Sequence, residues 1–204
     1  MALGSSSTWG TGASSRARTY PARLEKELRR AWPASDVRVI NAGIGGQLAR
    51  DMIKRIARDV AVHKPQLVIW QTGVNDAVRG VPIERLKNEM RTGIHDMQAA
   101  GADVALIDQQ FYPRFKRVKN GQRYLAAVRE TGKETGVPVV QRFRIMQHLI
   151  KSAQFTPATL LAPDQFHLND TSYGCLGRLL AQSLRSAARA IPVSAQKAAS
   201  KAEM

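Results

Sequence analysis

Three consecutive serines, Ser5, Ser6 and Ser7, follow a short apolar segment at the start of the 204-residue sequence. Clusters of small polar residues usually form flexible leaders or loops, and that interpretation requires no chemistry. A serine hydroxyl becomes an effective nucleophile only when a neighbouring imidazole takes its proton and a carboxylate orients that imidazole. The serines can therefore carry a reaction only if a histidine and an acid lie beside them.

His167 is the best placed of the four histidines to act as such a base. The motif DQFH puts Asp164 three residues before it, so the carboxylate can reach the ring Nδ1 within one turn. A D-x-x-H pattern is also common by chance, with the aspartate serving as a turn residue. His63 is expected to cap the end of a helix, and His95 and His148 to be solvated or to pack within helices.

Two further motifs could supply hydrogen-bond donors to a negatively charged oxygen. Gly46 in NAGIGG can present a backbone N–H with no side chain in the way, and Asn75 in TGVND can offer its side-chain amide. Both motifs also have purely structural interpretations, as a glycine turn that enters a helix and as a turn or cap residue. Taken singly, each motif is better explained by structure than by catalysis.

Alternating helices and strands must position these residues. Apolar residues about every three or four positions predict helices, and short apolar runs bounded by turns predict strands. Strands are predicted at 1–3, 37–40, 66–73, 102–108 and 137–141, and helices at 20–32, 48–60, 82–100, 124–131, 145–150 and 171–188. This alternation predicts a doubly wound, flavodoxin-like α/β/α fold with a five-stranded parallel sheet. Because ligands of such sheets bind beyond the carboxyl ends of the strands, the serines, Gly46 and Asn75 are expected at the functional edge.

Taken together, the motifs resemble the four sequence blocks of the SGNH (GDSL-type) hydrolase family, and they occur in the same order. The resemblance covers residues 1 to 185. GSSSTWG corresponds to the GDS-x-T-x-G block with Ser6 at the nucleophile, NAGIGG to the block with Gly46 at the oxyanion glycine, GVND to the block with Asn75, and DQFH to the block with Asp164 and His167.

The resemblance implies a serine esterase that uses neither a cofactor nor a metal. Ser6 would attack an ester carbonyl, His167 would take its proton and Asp164 would orient the imidazole, with an acyl-enzyme as intermediate. The N–H groups of Ser6 and Gly46 and the Asn75 amide would form the oxyanion hole. The implied substrates are small-molecule, carbohydrate or lipid esters, with short acyl or acetyl esters expected first. An acyltransferase that uses the same site is an alternative.

Three residues depart from the family pattern. Ser5 stands where the motif has aspartate, Ser7 where it has an aliphatic residue, and Gln47 where an acid is common. The missing aspartate is not the triad acid, but its hydrogen bonds help to hold the nucleophile loop, so weaker pre-organisation is expected. The departure at Ser5 also favours a second alternative, a non-catalytic carbohydrate-binding protein of this fold.

The loop QQFYPRFKRVKNG follows the fourth predicted strand and is expected to line the substrate pocket. Phe111, Tyr112 and Arg114 are the candidates for the pocket wall. Arg114 could meet an anionic group on the substrate, although surface solvation explains most of the charge in this loop.

The composition restricts the class of partner. With 31 basic and 16 acidic residues the net charge is +15, which suits nucleic acid, anionic lipid or acidic polysaccharide. The basic residues are spread along the chain and are not interleaved with stacking aromatics, so no nucleic-acid binding is expected. No apolar stretch approaches the roughly 18 residues of a membrane span, so no stable membrane insertion is expected. The single cysteine, Cys175, excludes an internal disulfide and a cysteine-based zinc site.

We predict one domain over residues 1–190 and a disordered tail over residues 191–204. No signal peptide is visible. The first predicted strand is shorter than the usual five or six residues or so, which leaves room for missing strand residues and an export signal upstream. The compartment and the oligomeric state therefore stay open.

Overall fold

The computed structural model describes residues 1–190, and the tail predicted over 191–204 lies outside the described residues. The five strands of the described part form one parallel sheet in the order β2-β1-β3-β4-β5. They are β1 (Ala2–Gly4), β2 (Asn41–Gly43), β3 (Leu67–Gln71), β4 (Asp103–Ile107) and β5 (Val139–Val140). This order is that of a flavodoxin-like sheet, so the predicted fold is confirmed.

Helices connect the strands and cover the sheet. They are α1 (Ser6–Trp9), α2 (Tyr20–Ala31), α3 (Ala49–Ile53), α4 (Val74–Val78), α5 (Ile83–Ala99), α6 (Gly121–Glu134), α7 (Arg142–Lys151), α8 (Pro157–Leu160) and α9 (Asp170–Ala190). Two 3-10 turns, at Arg16–Arg18 and Pro113–Arg117, and a π-helical turn at Ala57–Ala61 complete the connections. Within residues 1–190, no helix combines the length and the apolar character needed to cross a bilayer.

The strand β3 separates two apolar cores because its neighbouring side chains point to opposite faces of the sheet. Trp70 packs in one core with Met52 of α3. Ile69 faces the other core, which contains Tyr20 of α2 and Tyr173 of α9. The two buried faces explain why the sequence of β3 reads as a continuous apolar run rather than as an alternating one.

The second strand lies later in the chain than predicted. The prediction at Val37–Ile40 is wrong, because β2 consists of Asn41, Ala42 and Gly43, in the segment expected to be a turn. Gly43 belongs in a strand here because α1 packs directly on it. A Cβ at this position would lie 2.1 Å from the backbone nitrogen of Trp9.

The helix predicted over 48–60 is wrong in its second half, where α3 has ended and the π-helical turn follows. Arg55 lies between the two, and its buried guanidinium donates to the carbonyls of Gly4 and Ala42 at 3.2 and 2.8 Å. An inward-facing arginine interrupts the apolar face on which the prediction rested, and Ala57, predicted on that face, is exposed. The helix α4 and the turn Pro113–Arg117 also form within segments predicted as loops.

Candidate active site

Ser6 is the first residue of α1 and follows β1 after only one residue. The sharp turn requires Gly4, where a Cβ would lie 2.1 Å from the Thr8 hydroxyl oxygen. The backbone N–H of Ser6 points out of the first helical turn and has no intrahelical acceptor. The strand-to-helix turn therefore exposes both a hydroxyl and a free backbone donor at the carboxyl edge of the sheet.

Ser6, His167 and Asp164 form one chain of hydrogen bonds. His167 Nε2 lies 2.9 Å from Ser6 Oγ, although the two residues are 161 positions apart in the sequence. On the other side of the ring, His167 Nδ1 lies 2.5 Å from Asp164 Oδ2. When the ring carries its proton on Nδ1 and donates it to the Asp164 carboxylate, the Nε2 lone pair faces the serine hydroxyl, which is the arrangement that proton transfer from Ser6 requires.

Asp164 is held in its charged form. Desolvation opposes its ionisation, but the hydrogen bonds from the His167 ring and from the backbone N–H groups of His167 and Phe166 outweigh it. Together they keep the pKa of the Asp164 carboxyl below its ordinary value. A carboxylate that stays ionised fixes the tautomer of the imidazole and stabilises its protonated form.

The loop that carries the acid and the base is held from several sides. The Ala162 N–H donates to the His167 carbonyl at 2.8 Å, and the Phe166 ring packs edge-on against Tyr112 with centroids 4.8 Å apart. From the opposite loop, Gly12 approaches so closely that a Cβ there would lie 2.4 Å from the Leu168 carbonyl oxygen.

A buried network below this loop was not found from the sequence. Gln110 Nε2 donates to the Phe166 carbonyl at 3.1 Å, and Gln110 Oε1 accepts from Arg142 at 3.0 Å. Arg142 is buried and also donates to the carbonyl of Asp108 at 3.1 Å. The position of Gln110 in the loop after β4 was the available signal, but nothing in the sequence pairs it with an arginine from α7.

The segment around Gly46 is held by the two polar residues at the start of α4. Asn75 Nδ2 donates to the Gln47 carbonyl at 2.8 Å, which leaves its second amide proton for another acceptor. Both carboxylate oxygens of Asp76 lie 3.3 Å from the Ala49 nitrogen. Gly46 itself has a φ of +76° and is exposed, and its N–H has no partner among the described residues. The structure thus joins the two predicted oxyanion motifs through Gln47.

Asp76 is buried beside this segment. Desolvation, with smaller effects from the charges of Glu89 and Asp51, raises its pKa to about 6 against the opposing hydrogen bonds from backbone N–H groups, including that of Ala49. The group therefore changes charge within a mildly acidic range.

Gln71, the last residue of β3, hydrogen-bonds to Ser5, the residue that stands where the family pattern has an aspartate. Its Oε1 accepts the N–H and the hydroxyl of Ser5, both at 3.1 Å, and the Thr8 hydroxyl lies 3.4 Å away. Thr8 Oγ1 in turn lies 3.0 Å from the Tyr20 hydroxyl. Ser5 is fully buried, so its departure from the pattern places a hydroxyl inside this network. The sequence feature that could have pointed to Gln71 is its position at the end of an otherwise apolar strand.

A cavity of about 530 Å³ adjoins the site, next to Asp164. Of the residues predicted for the pocket wall, Tyr112 and Arg114 line this cavity, and Phe166, Val78 and Val118 contribute apolar walls. Phe111 does not line this cavity. Its ring packs edge-on against Phe143 instead, with centroids 5.5 Å apart.

The other histidines lie on other elements. His63 is exposed beyond the π-helical turn, His148 is exposed on α7, and His95 is exposed on α5 with its ring 3.4 Å from Asp96. Among residues 1–190, no group of three or more histidine, cysteine, aspartate or glutamate side chains is arranged to hold a metal ion.

Comparison with known proteins shows which family and which curated proteins this chain is similar to. The model of the non-GDSL lipase-like family matches residues 1–190. The chain is 32% identical over 108 residues to Esterase TesA from Pseudomonas aeruginosa and 28% identical over 120 residues to Thioesterase 1/protease 1/lysophospholipase L1 from Escherichia coli K12. These matches cover 53% and 55% of this chain, and the chain spans 50% and 57% of the two curated relatives.

A solved structure supports the fold over a greater length. The lipase/acylhydrolase from Enterococcus faecalis is similar with a TM-score of 0.72 and 24% identity, covering 91% of this chain and 94% of that one. At this identity the similarity concerns the fold alone.

Proposed function

Because the chain belongs to the non-GDSL lipase-like family, we propose that it is a serine hydrolase that cleaves carboxylic esters through Ser6, His167 and Asp164. The family membership confirms the resemblance to the SGNH hydrolases. The observation that carries the proposed activity is the unbroken chain of hydrogen bonds from the Ser6 hydroxyl through the imidazole to the Asp164 carboxylate.

In the first half of the proposed reaction, Ser6 Oγ attacks the ester carbonyl while His167 Nε2 takes the hydroxyl proton. Asp164 stabilises the imidazolium that forms. The negative oxygen of the tetrahedral intermediate is held by the N–H groups of Ser6 and Gly46 and by the free amide proton of Asn75. Each such donor contributes about 10² to 10³ in rate. The intermediate collapses as His167 returns its proton to the departing alcohol oxygen, which leaves an acyl-enzyme.

In the second half, water replaces the alcohol. His167 takes a proton from the water as its oxygen attacks the acyl carbon, and then gives that proton to Ser6 Oγ when the second intermediate collapses. The products are a carboxylic acid and the free serine. An acceptor alcohol could use the same acyl-enzyme, so the product must be identified as acid or as new ester.

Short acyl or acetyl esters are the substrates that we propose first. Relatives named as an esterase and as a thioesterase support acyl-group hydrolysis in general. The cavity of about 530 Å³ beside Asp164 has room for a small acyl or alcohol group.

The decisive experiment compares nitrophenyl esters of graded chain length on the wild type, Ser6→Ala and Ser7→Ala. Ser7 is the matched control because its hydroxyl lies in the same short helix and has no hydrogen-bond partner among the described residues. We expect hydrolysis by the wild type and by Ser7→Ala, loss of turnover in Ser6→Ala, and covalent labelling of Ser6 by a phosphonate. Wild-type turnover by Ser6→Ala, or no hydrolysis and no labelling in the wild type, would overturn the proposal.

A further inference from the structure

Three cations line the cavity beside Asp164, and none of them has a carboxylate partner among the described residues. Arg114, Arg117 and Lys119 line the cavity and are exposed. No carboxylate of residues 1–190 lies within 4.0 Å of their charged nitrogens. Within the described part of the chain, the one side-chain hydrogen bond from these three residues runs from Arg114 to the Asp164 carbonyl oxygen at 3.2 Å.

Several cations on other faces of the molecule are paired with carboxylates, whereas these three lie together beside one cavity without such a partner among residues 1–190. The guanidinium groups of Arg85, Arg91 and Arg129 lie 2.8 Å from the carboxylates of Glu89, Glu134 and Asp108, respectively. Unpaired like charges around one cavity repel one another, so an anion placed among them would be stabilised.

The cationic group connects to the reaction centre through α4. Val78 and Gly80 line the cavity, and Arg79 lies between them in the chain. A Cβ built on Gly46 would lie 3.5 Å from Arg79 Nη2, so this guanidinium stands beside the proposed oxyanion glycine. The lining of the cavity therefore includes the acid of the triad and residues of α4, the helix that also carries Asn75.

The walls of the cavity are apolar, whereas its rim is charged. Tyr112, Phe166, Val78 and Val118 form the apolar part. Asp164 is the single carboxylate among the described lining residues, and both of its oxygens are already engaged by His167 and backbone N–H groups. A ligand with a short apolar segment and a terminal anion would match both parts.

From these observations we propose that the preferred substrate is an ester that carries a carboxylate or phosphate near the scissile bond, bound by Arg114, Arg117 and Lys119. This inference rests on the hydrolase function proposed above. An anion on the acyl side or on the alcohol side would satisfy the same chemistry, because the cavity adjoins the triad without fixing which half of the ester enters it.

The test measures the selectivity for an anionic over a neutral ester, defined as the ratio of their kcat/KM values. On the acyl side the pair is the nitrophenyl half-ester of succinate and nitrophenyl butyrate. On the alcohol side it is the acetyl ester of a hydroxyalkyl phosphate and the acetyl ester of the corresponding diol. Comparing each ratio between wild type and variant cancels the intrinsic reactivity of the esters.

The main variant is Arg117→Gln/Lys119→Gln, because neither residue touches the triad. The matched control is Arg144→Gln/Lys151→Gln on α7, which removes the same charge from an exposed position away from the cavity. We expect the main variant to lose selectivity by about threefold to tenfold on at least one side, and the control to keep wild-type selectivity. Raising the salt from about 0.05 M to about 0.5 M should lower the wild-type selectivity in the same direction.

The inference would be overturned by equal selectivity in the wild type and the main variant, or by an equal loss in the control. In that case continued hydrolysis of the neutral esters would leave the hydrolase function standing. If the wild type hydrolysed none of the four esters, the proposed function would be overturned, and this inference with it.

Discussion

The side-chain oxygen Oε1 of Gln71 accepts both the backbone N–H and the hydroxyl of Ser5 at 3.1 Å. The contact joins the end of a central strand to the residue just before the proposed nucleophile. The expectation that Ser5 weakens the nucleophile loop rested on the absence of an aspartate at that position. Gln71, on the neighbouring strand, provides a hydrogen-bond acceptor for Ser5. The nucleophile loop therefore has a support that the sequence pattern alone does not reveal.

Replacing Gln71 by leucine should lower both stability and turnover. The change leaves the Ser5 N–H and hydroxyl without their buried acceptor, at a cost of about 1–3 kcal/mol in the free energy of unfolding for each group that stays unsatisfied. We expect kcat to fall while KM changes little, because the altered loop positions Ser6 and does not bind substrate.

Gln71→Glu keeps the acceptor and should recover much of the loss. Urea unfolding and steady-state kinetics measure the two effects, and Gln66→Leu, at an exposed position just before β3, is the control. Equal kinetics in all three variants would contradict the proposed support.

Substitutions within the proposed triad and the oxyanion hole should differ in severity. Ser6→Ala and His167→Ala should lower kcat by about 10⁴ to 10⁶, whereas Asn75→Ala should lower it by about 10² to 10³. Asp164→Asn removes the charge that fixes the imidazole tautomer and should cost about 10⁴. Single-turnover and steady-state rates, with circular dichroism to verify folding, give the comparison. A larger loss from Asn75→Ala than from His167→Ala would reverse the assigned roles.

Burial of Asp76 should make stability depend on pH in an unusual direction for an aspartate. Because the pKa is about 6 in the folded protein and 3.8 in the reference state, the folded form binds the proton more tightly. The contribution of Asp76 is therefore fully favourable below about pH 4 and is lost as the pH rises through about 6, by roughly 3 kcal/mol in total.

Asp76→Asn isolates this effect because the amide keeps an acceptor for the Ala49 N–H and never ionises. We expect the free energy of unfolding of the wild type to fall relative to the variant between about pH 4 and pH 7. Urea denaturation midpoints over this range measure the difference. Parallel curves for the two proteins would show that the carboxyl titrates normally.

Adding a methyl group at Gly12 should disturb the histidine loop. Its φ of +90° disfavours alanine, and the Cβ would lie 2.4 Å from the Leu168 carbonyl oxygen and 2.9 Å from the Ala162 Cβ. Gly12→Ala should therefore lower the free energy of unfolding by about 1–3 kcal/mol and lower kcat by moving His167 away from Ser6. Gly174→Ala, inside α9 where only the Arg178 guanidinium comes near, should be neutral or slightly stabilising. Unchanged kcat in Gly12→Ala would mean that the loop tolerates the approach.

The predictions that succeeded depended on signals local to the chain. Short apolar runs between amphipathic segments identified the order of strands and helices, and the four blocks placed Ser6 and His167 at the same edge of the sheet. The structure brings the two side chains to 2.9 Å from one another. Their pairing across 161 positions was expected from the resemblance to the SGNH family, because neither residue alone indicates the other.

The failures concern contacts between elements that no periodicity encodes. The strand β2 was misplaced because Gly43 reads as a turn residue until α1 is seen to pack on it. The inward guanidinium of Arg55 interrupts a helix whose apolar spacing looked continuous. Gln71 and Gln110 were passed over because a polar side chain at a strand end gains meaning only from the partner that another element brings to it.

The acid and the base come from a single loop, whereas the nucleophile comes from the other end of the chain. Any displacement of that loop therefore carries Asp164 and His167 together, and the imidazole keeps its proton arrangement while it leaves Ser6. Such a displacement would break the hydrogen bond between the His167 ring and the Ser6 hydroxyl, whereas the hydrogen bond between the ring and Asp164 would be kept. A bound ligand that moves this loop would therefore switch the attack by Ser6 on or off without changing the charges on Asp164 and His167.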